Sequence, residues 1–205
     1  MITPKMHGGG GLTRERFLLR ETILVASLQQ AGLTNEELSC RILGENSFQY
    51  SSQQATKRIT RACLRRLDAL GNSSLLSLLT KGTHAQAAQV NLYALMKAEG
   101  LVCSFMLDEV APRYQRLDFT LSRIDIRAFI TRFREQDCDA PAWSESTVAR
   151  LASVLSGSLV QAGLLSASSS SNLLPFILDP FVEAGIRENG DAALLPAFNC
   201  VVVGS

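Results

Sequence analysis

Ser51-Ser52-Gln53-Gln54-Ala55-Thr56-Lys57-Arg58-Ile59-Thr60-Arg61-Ala62-Cys63-Leu64-Arg65-Arg66-Leu67 is the stretch that decides the fold class of this chain. Wound as a helix at about 100° per residue, it places Ile59, Cys63, Leu67 and Leu70 in one arc of roughly 80°. Lys57, Arg58, Arg61 and Arg65 fall in an arc centred almost opposite, with Gln54 among them. One face packs and the other presents cations. No acidic residue lies between Asn46 and Leu67, so no i,i+4 partner neutralises the basic face. A merely solvated helix usually mixes its signs.

Outward from this helix, two more precede it, at about 14–31 and 35–43, joined by the turn Ala31-Gly32-Leu33. Thr34 is placed to cap the second, with Glu37 as capping-box partner and Leu33 and Leu38 at the staple positions. Helix, turn, helix, loop, basic helix is the order of a helix-turn-helix unit, although some eight residues join the last two. In such a unit the later helix enters the major groove, with its N-terminal residues against base edges. Ser51, Ser52 and Gln54 have suitable hydrogen-bonding groups there, and Lys57, Arg58, Arg61, Arg65 and Arg66 would hold phosphates. Arg14, Arg16 and Arg20, on the first predicted helix, would extend the same surface. The competing reading is the charged outer face of an ordinary bundle helix.

The charge balance agrees with a localised polyanion site. Net charge is +1, but residues 1–66 carry ten Lys/Arg against five Asp/Glu, for +5, and residues 67–205 carry ten against fourteen, for −4. That asymmetry points to a polyanionic partner for the N-terminal third.

Further helices are predicted at 52–70, 74–80, 84–98, 101–111, 123–137, 145–162 and 180–189. Ser122 with Asp125, Ser144, and Asp179 before Pro180 supply the starts. Gly32, Gly44, Gly100, Gly163 and Gly190 fall where helices should end. The stripes Ile126, Phe129, Ile130, Phe133 and Val148, Leu151, Ala152, Leu155, Leu159, Ala162 read as core. Residues 113–120 read as extended or irregular. Residues 164–178, with the run Ser168-Ser169-Ser170-Ser171, read as two short strands around a polar turn, with a plain flexible loop as the alternative. With the helix at 145–162 they would make a winged helix whose exposed face (Ser146, Arg150, Ser153, Gly157) is nearly uncharged. A second basic cluster, Arg113, Arg116, Arg123, Arg127, Arg132 and Arg134, interleaves with Asp118, Asp125, Glu135 and Asp137 and reads as salt-bridged surface.

The expected fold is therefore all-α: a flexible lead-in at 1–11, an N-terminal helical subdomain at 12–112, a C-terminal helical subdomain at 113–190 and a tail at 191–205. The chain is long enough to bury a core without staples. No apolar run reaches the roughly 18–20 residues of a membrane span. Five cysteines, none in C-x-x-C spacing, and only His7 and His84 argue against a disulfide framework or zinc site. They read as buried thiols in a reducing, cytoplasmic setting. There is no G-x-S-x-G, Walker-type loop or H-E-x-x-H, so neither catalysis nor a cofactor is expected.

Several segments resemble one family. Gln89-Val90-Asn91-Leu92-Tyr93-Ala94-Leu95-Met96-Lys97, followed by Leu101 to Glu109, is similar to the middle of BrxA proteins from bacterial BREX phage-defence systems. Trp143-Ser144-Glu145-Ser146-Thr147-Val148-Ala149-Arg150-Leu151, then Leu159 to Leu165 with its Ala162-Gly163-Leu164-Leu165, resembles that family's C-terminal part. Arg20-Glu21-Thr22 and the helix from Lys57 to Leu67 look similar too. The likeness covers most of residues 12–190. It implies a small helical double-stranded-DNA-binding component of a multi-protein defence system, which pairs a site-specific DNA methyltransferase with an ATPase and other subunits. Partners implied are DNA and other BREX subunits, with no membrane and with homo-oligomerisation left open. The rival reading is an adaptor whose basic helix meets an acidic protein surface.

Overall fold

The computed structural model describes residues 12–136 and 143–200, and within them the protein is all-α. Ten α-helices follow in order: α1 (Leu19–Gln30), α2 (Asn35–Gly44), α3 (Gln53–Leu70), α4 (Ser73–Lys81), α5 (His84–Ala98), α6 (Gly100–Phe105), α7 (Ala111–Arg116), α8 (Arg123–Gln136), α9 (Glu145–Gln161) and α10 (Pro180–Glu188). A π-helical turn, Met106–Val110, joins α6 to α7, and a 3-10 helix, Ala192–Phe198, follows α10.

The starts of α2, α8, α9 and α10 are those the sequence specifies. Thr34 and Glu37 form a full capping box on α2. Ser122 and Asp125 exchange the same pair of bonds at the start of α8. Ser144 and Asp179 cap α9 and α10. Each side chain meets an amide that a helix N-terminus otherwise leaves unpaired.

The organising element is α5. Every residue from Ala87 to Met96 is buried, polar Gln89 and Asn91 included, so this helix is enclosed by its neighbours and has no solvent face. Around it pack α1, α3, α4, α6 and α10. The chain thus returns at its end to the bundle that it starts: Gly185 of α10 sits over Leu75 of α4, where an added Cβ would come within 2.5 Å of the leucine side chain. After α10, Tyr93 of α5 donates to the Asp191 carboxylate and accepts from Asn189. Lys97 pairs with Asp191 at 2.9 Å. These bonds draw the 3-10 helix inward, and Leu195, Ala197 and Phe198 are buried. Helices α8 and α9 form a pair that leans on α6.

Five sequence expectations need correction. Helix α1 begins at Leu19, not near residue 14, and Leu18 before it adopts a left-handed backbone (φ 55). Residues 113–116, expected to be extended or irregular, continue the helix. Pro112 interrupts the hydrogen-bond ladder, and the preceding π-helical turn together with Arg113, which donates to the Glu109 carbonyl at 2.7 Å, takes up the mismatch. Gly100 opens α6 instead of terminating α5, because the break falls at Glu99. Cys40 is exposed; Cys63 and Cys103 are buried as expected, Cys200 is half-buried, and Cys138 lies outside the described residues. Where a small hairpin was expected, the described residues have only isolated bridges, Leu165 to Leu173 and Thr120 to Asn172. No single described helix is long and apolar enough to cross a membrane.

Candidate nucleic-acid interface

Helix α3 is held at both ends by local chemistry. Ser52 accepts from the Ala55 amide, and Gly71, in the left-handed region (φ 59), closes the C-terminus. The loop before α3 is anchored by buried Phe48 and by Tyr50, whose hydroxyl donates to Glu21 of α1 at 2.9 Å. Burial and the Glu21 carboxylate push the Tyr50 hydroxyl up to about 12, so it stays a donor. The predicted packing arc Ile59, Cys63, Leu67 and Leu70 is buried, joined by Thr56, Thr60, Ala62 and Arg66. Thr56 and Thr60 satisfy their hydroxyls on the carbonyls one turn back.

The predicted site residues divide into two groups. Ser51, Ser52, Gln54, Lys57 and Arg61 are exposed along one stripe, and Arg58 is half-buried beside them. None of these cations has a carboxylate within ion-pair distance among the described residues. The Nε–H of Arg58 is buried without an acceptor. Arg14, Arg16 and Arg20 are exposed too, but Arg14 and Arg16 lie on the non-helical segment before α1, not on the helix itself.

Arg65 and Arg66 belong elsewhere. Arg65 donates to Glu15 at 2.7 Å and to Glu99 at 2.6 Å, both carboxylates being nearly buried. Burial draws its guanidinium down, but the bonds to the two carboxylates prevail and hold it above its ordinary value. Glu99 is pushed up by burial against the pull of Arg65. Arg66 is wholly buried and donates to three backbone carbonyls, those of Phe17 at 2.6 Å, Arg16 at 2.7 Å and Glu15 at 3.2 Å. Burial lowers its pKa, yet a guanidinium remains charged. This is why residues 15–17 are not helical: their carbonyls are turned onto Arg66, and a second donor, Asn91 of α5, holds the Phe17 carbonyl at 2.8 Å. The sequence carried a signal for it. On the same wheel Arg66 falls about 20° from Ile59, on the packed side, and nearly opposite Lys57.

Half of the second basic cluster is neutralised among the described residues. Arg113 and Arg132 share Glu109, and Arg127 pairs with Glu145. Arg116, Arg123 and Arg134 meet no carboxylate among the described residues: Arg134 donates to the Trp143 carbonyl at 3.1 Å, and Arg123 to Ser153 of α9 at 2.8 Å. No group of three or more metal-ligating side chains gathers among the described residues.

Comparison with known proteins now adds to this geometry. The family model described as BrxA matches residues 9–190. A protein of Paramagnetospirillum magneticum called BREX protein BrxA is 26% identical over 184 residues, covering 90% of this chain and 89% of that one. Proteins of the same name from Bacillus cereus and Escherichia coli (strain HS) are 25% and 23% identical over 149 and 186 residues, covering 73% and 91% of this chain and 74% and 87% of theirs. A crystal structure of an uncharacterized protein from Magnetospirillum magneticum shares the fold, with a TM-score of 0.78 and 23% identity over 92% of this chain and 96% of that one.

Proposed function

The chain belongs to the BrxA family, and from that premise we propose that it is a non-catalytic, cytoplasmic component of a BREX phage-defence system that binds double-stranded DNA through the N-terminal half of α3. The names of its relatives support the BREX assignment. One observation supports the DNA reading above the others: Lys57 and Arg61 stand exposed and unpaired on the stripe that begins with Ser51 and Gln54. Exposed cations with no intramolecular partner are what a phosphate backbone neutralises, releasing condensed counterions as it does. In this reading α1, α2 and α3 act as a helix-turn-helix, with Ser51, Gln54 and the free rim of Ser52 at the groove. Arg58 lies beside them, Arg14 and Arg20 would add to the basic surface, Arg16 lines a separate cleft, and Arg65 and Arg66 serve the fold. Few base-reading groups are available, so sequence preference is weak.

Fluorescence anisotropy with a labelled duplex of about 30 base pairs, across a salt series, tests this. Affinity should fall with salt, and Lys57→Glu/Arg61→Glu should abolish binding while circular dichroism stays that of the wild type. The milder Lys57→Gln/Arg61→Gln variant should still bind, with a log–log salt slope flatter by about 2. Absent binding by the wild type at low salt would refute the proposal.

A second reading has its own observation. Leu117, Ile124, Ile177 and Phe181 are strongly exposed, which suits an adaptor that docks other BREX subunits. Charge reversal on α3 that spares DNA binding but abolishes a subunit pull-down would favour it.

A further inference from the structure

Away from the exposed stripe of α3, the segment before α1 and helix α9 enclose a cleft of about 740 Å³, with the first residue of α8 and the loop after α9 at its edges. Three arginines line it: Arg16, Arg123 and Arg150. The remaining lining is neutral, with Ser153 and Gly157 of α9 giving a floor of small side chains, and no carboxylate takes part.

One of the three cations is held by its side chain before any ligand arrives, and a second has its backbone fixed. Arg16 sits on the backbone that buried Arg66 fixes through the Arg16 carbonyl at 2.7 Å. Arg123 is steadied by the Ser153 hydroxyl at 2.8 Å, and that hydroxyl donates in turn to the Ala149 carbonyl. Among the described residues none of the three forms an ion pair. A second cavity shows the contrast. It measures about 310 Å³ and includes Arg113 and Arg116, but Asp108, Glu109 and Asp118 line it as well. That cavity neutralises itself, whereas the larger cleft leaves its positive charge uncompensated.

We propose that this cleft is a second anion site, built to take two or three clustered phosphate groups. Three guanidinium forks around one concavity suit oxygens that accept in pairs. The volume lies in the range of ligand sites, roughly 300–1,000 Å³, and exceeds what a single small ion fills. The one aromatic residue of the lining, Phe17, is fully buried, so no ring is presented for a base to stack upon. The ligand is recognised by its charges. Clustered phosphates come either as a free polyphosphate or along a nucleic-acid backbone, and the same residues serve both. The proposal does not rest on DNA binding by α3.

Calorimetric titration of the full chain with sodium tripolyphosphate, at low salt and matched ionic strength, tests the site beside anisotropy with the labelled duplex. Arg123→Gln/Arg150→Gln is compared with Lys57→Gln/Arg61→Gln, and folding of both is checked by circular dichroism. Both cleft arginines are exposed, so their replacement leaves the core intact. Tripolyphosphate binding that weakens at least about tenfold in the cleft variant and persists in the α3 variant establishes the site for free phosphates. A cleft variant that instead loses at least about tenfold in duplex affinity, in a wild type indifferent to tripolyphosphate, establishes it for a nucleic-acid backbone. If the cleft variant matches the wild type toward both probes, the proposal is overturned, whatever the α3 variant does.

Discussion

Replacing Arg66 with alanine should destabilise the protein by about 3–5 kcal/mol while leaving the DNA affinity of the folded fraction unchanged. The magnitude follows from what the guanidinium holds. Of its three carbonyl partners, Phe17 keeps a second donor in Asn91. For the carbonyls of Glu15 and Arg16, Arg66 is the donor found among the described residues. Each orphaned carbonyl costs about 1–3 kcal/mol, together about 2–6, and a water entering the vacated space moderates the upper end. The damage should be local first. Leu18 adopts a left-handed backbone, a conformation that costs a non-glycine residue about 1–2 kcal/mol, and the bonds to Arg66 and Asn91 are what impose it. Without Arg66, residues 12–18 should loosen before the bundle does. Urea unfolding followed by circular dichroism measures the loss, and limited proteolysis reports the loosened segment. Arg66→Lys should fall between wild type and alanine, because an ammonium keeps the charge but lacks the planar fork. Arg66→Ala within about 1 kcal/mol of wild type would refute the reasoning. So would a variant as stable as wild type that had lost DNA binding, since that would put the guanidinium on a phosphate.

Two further predictions concern protons and thiols. Asp125 is held below its ordinary value of 3.8 by its bonds to Ser122, and Glu37 below its ordinary 4.5 by its bonds to Thr34. A depressed carboxyl stabilises the fold above its unfolded-state value and loses that contribution as pH falls through the folded one. Stability should therefore decline below about pH 4, and Asp125→Asn should make that decline shallower; an identical decline in wild type and variant would count against the capping box at α8. Burial pushes the Cys63 and Cys103 thiols each up to about 11, and Cys40 is exposed. Brief alkylation at pH 8 with peptide mapping should modify Cys40 and spare Cys63 and Cys103, and the reverse order would contradict the packing of α3 on α1.

Much of the helical framework was open to the sequence because its signals are local. Thr34 with Glu37, Ser122 with Asp125, and Asp179 before Pro180 each specify a start within four residues, and each is occupied as written. The stripe Ile126, Phe129, Ile130 and Phe133 faces the core for the same reason. What escaped depends on partners far along the chain. No local rule ends α1 at Leu19; an arginine 47 residues later does so, by taking the carbonyls that a longer helix would have used itself. Pro112 is a local signal, but it reads as a break only if nothing nearby can absorb it, and the π-helical turn does.

The same distinction runs through the basic face. In sequence, Lys57, Arg61, Arg65 and Arg66 look equivalent, because the acids that matter are not within reach along the helix. Glu15 lies 50 residues from Arg65 and Glu99 lies 34 away. Folding brings both to the C-terminal half of α3 and leaves the N-terminal half without a carboxylate among the described residues. The helix is thereby divided in function: one end binds the protein to itself, and the other is left with charge to offer. Arg123 and Arg150 show the converse. Their sequence neighbourhoods carry acids, which suggests neutralisation, yet the fold sends Asp125 to Ser122 and Glu145 to Arg127. Net charge along a chain therefore indicates where cations gather, but which of them remain free is decided by where the fold places each carboxylate.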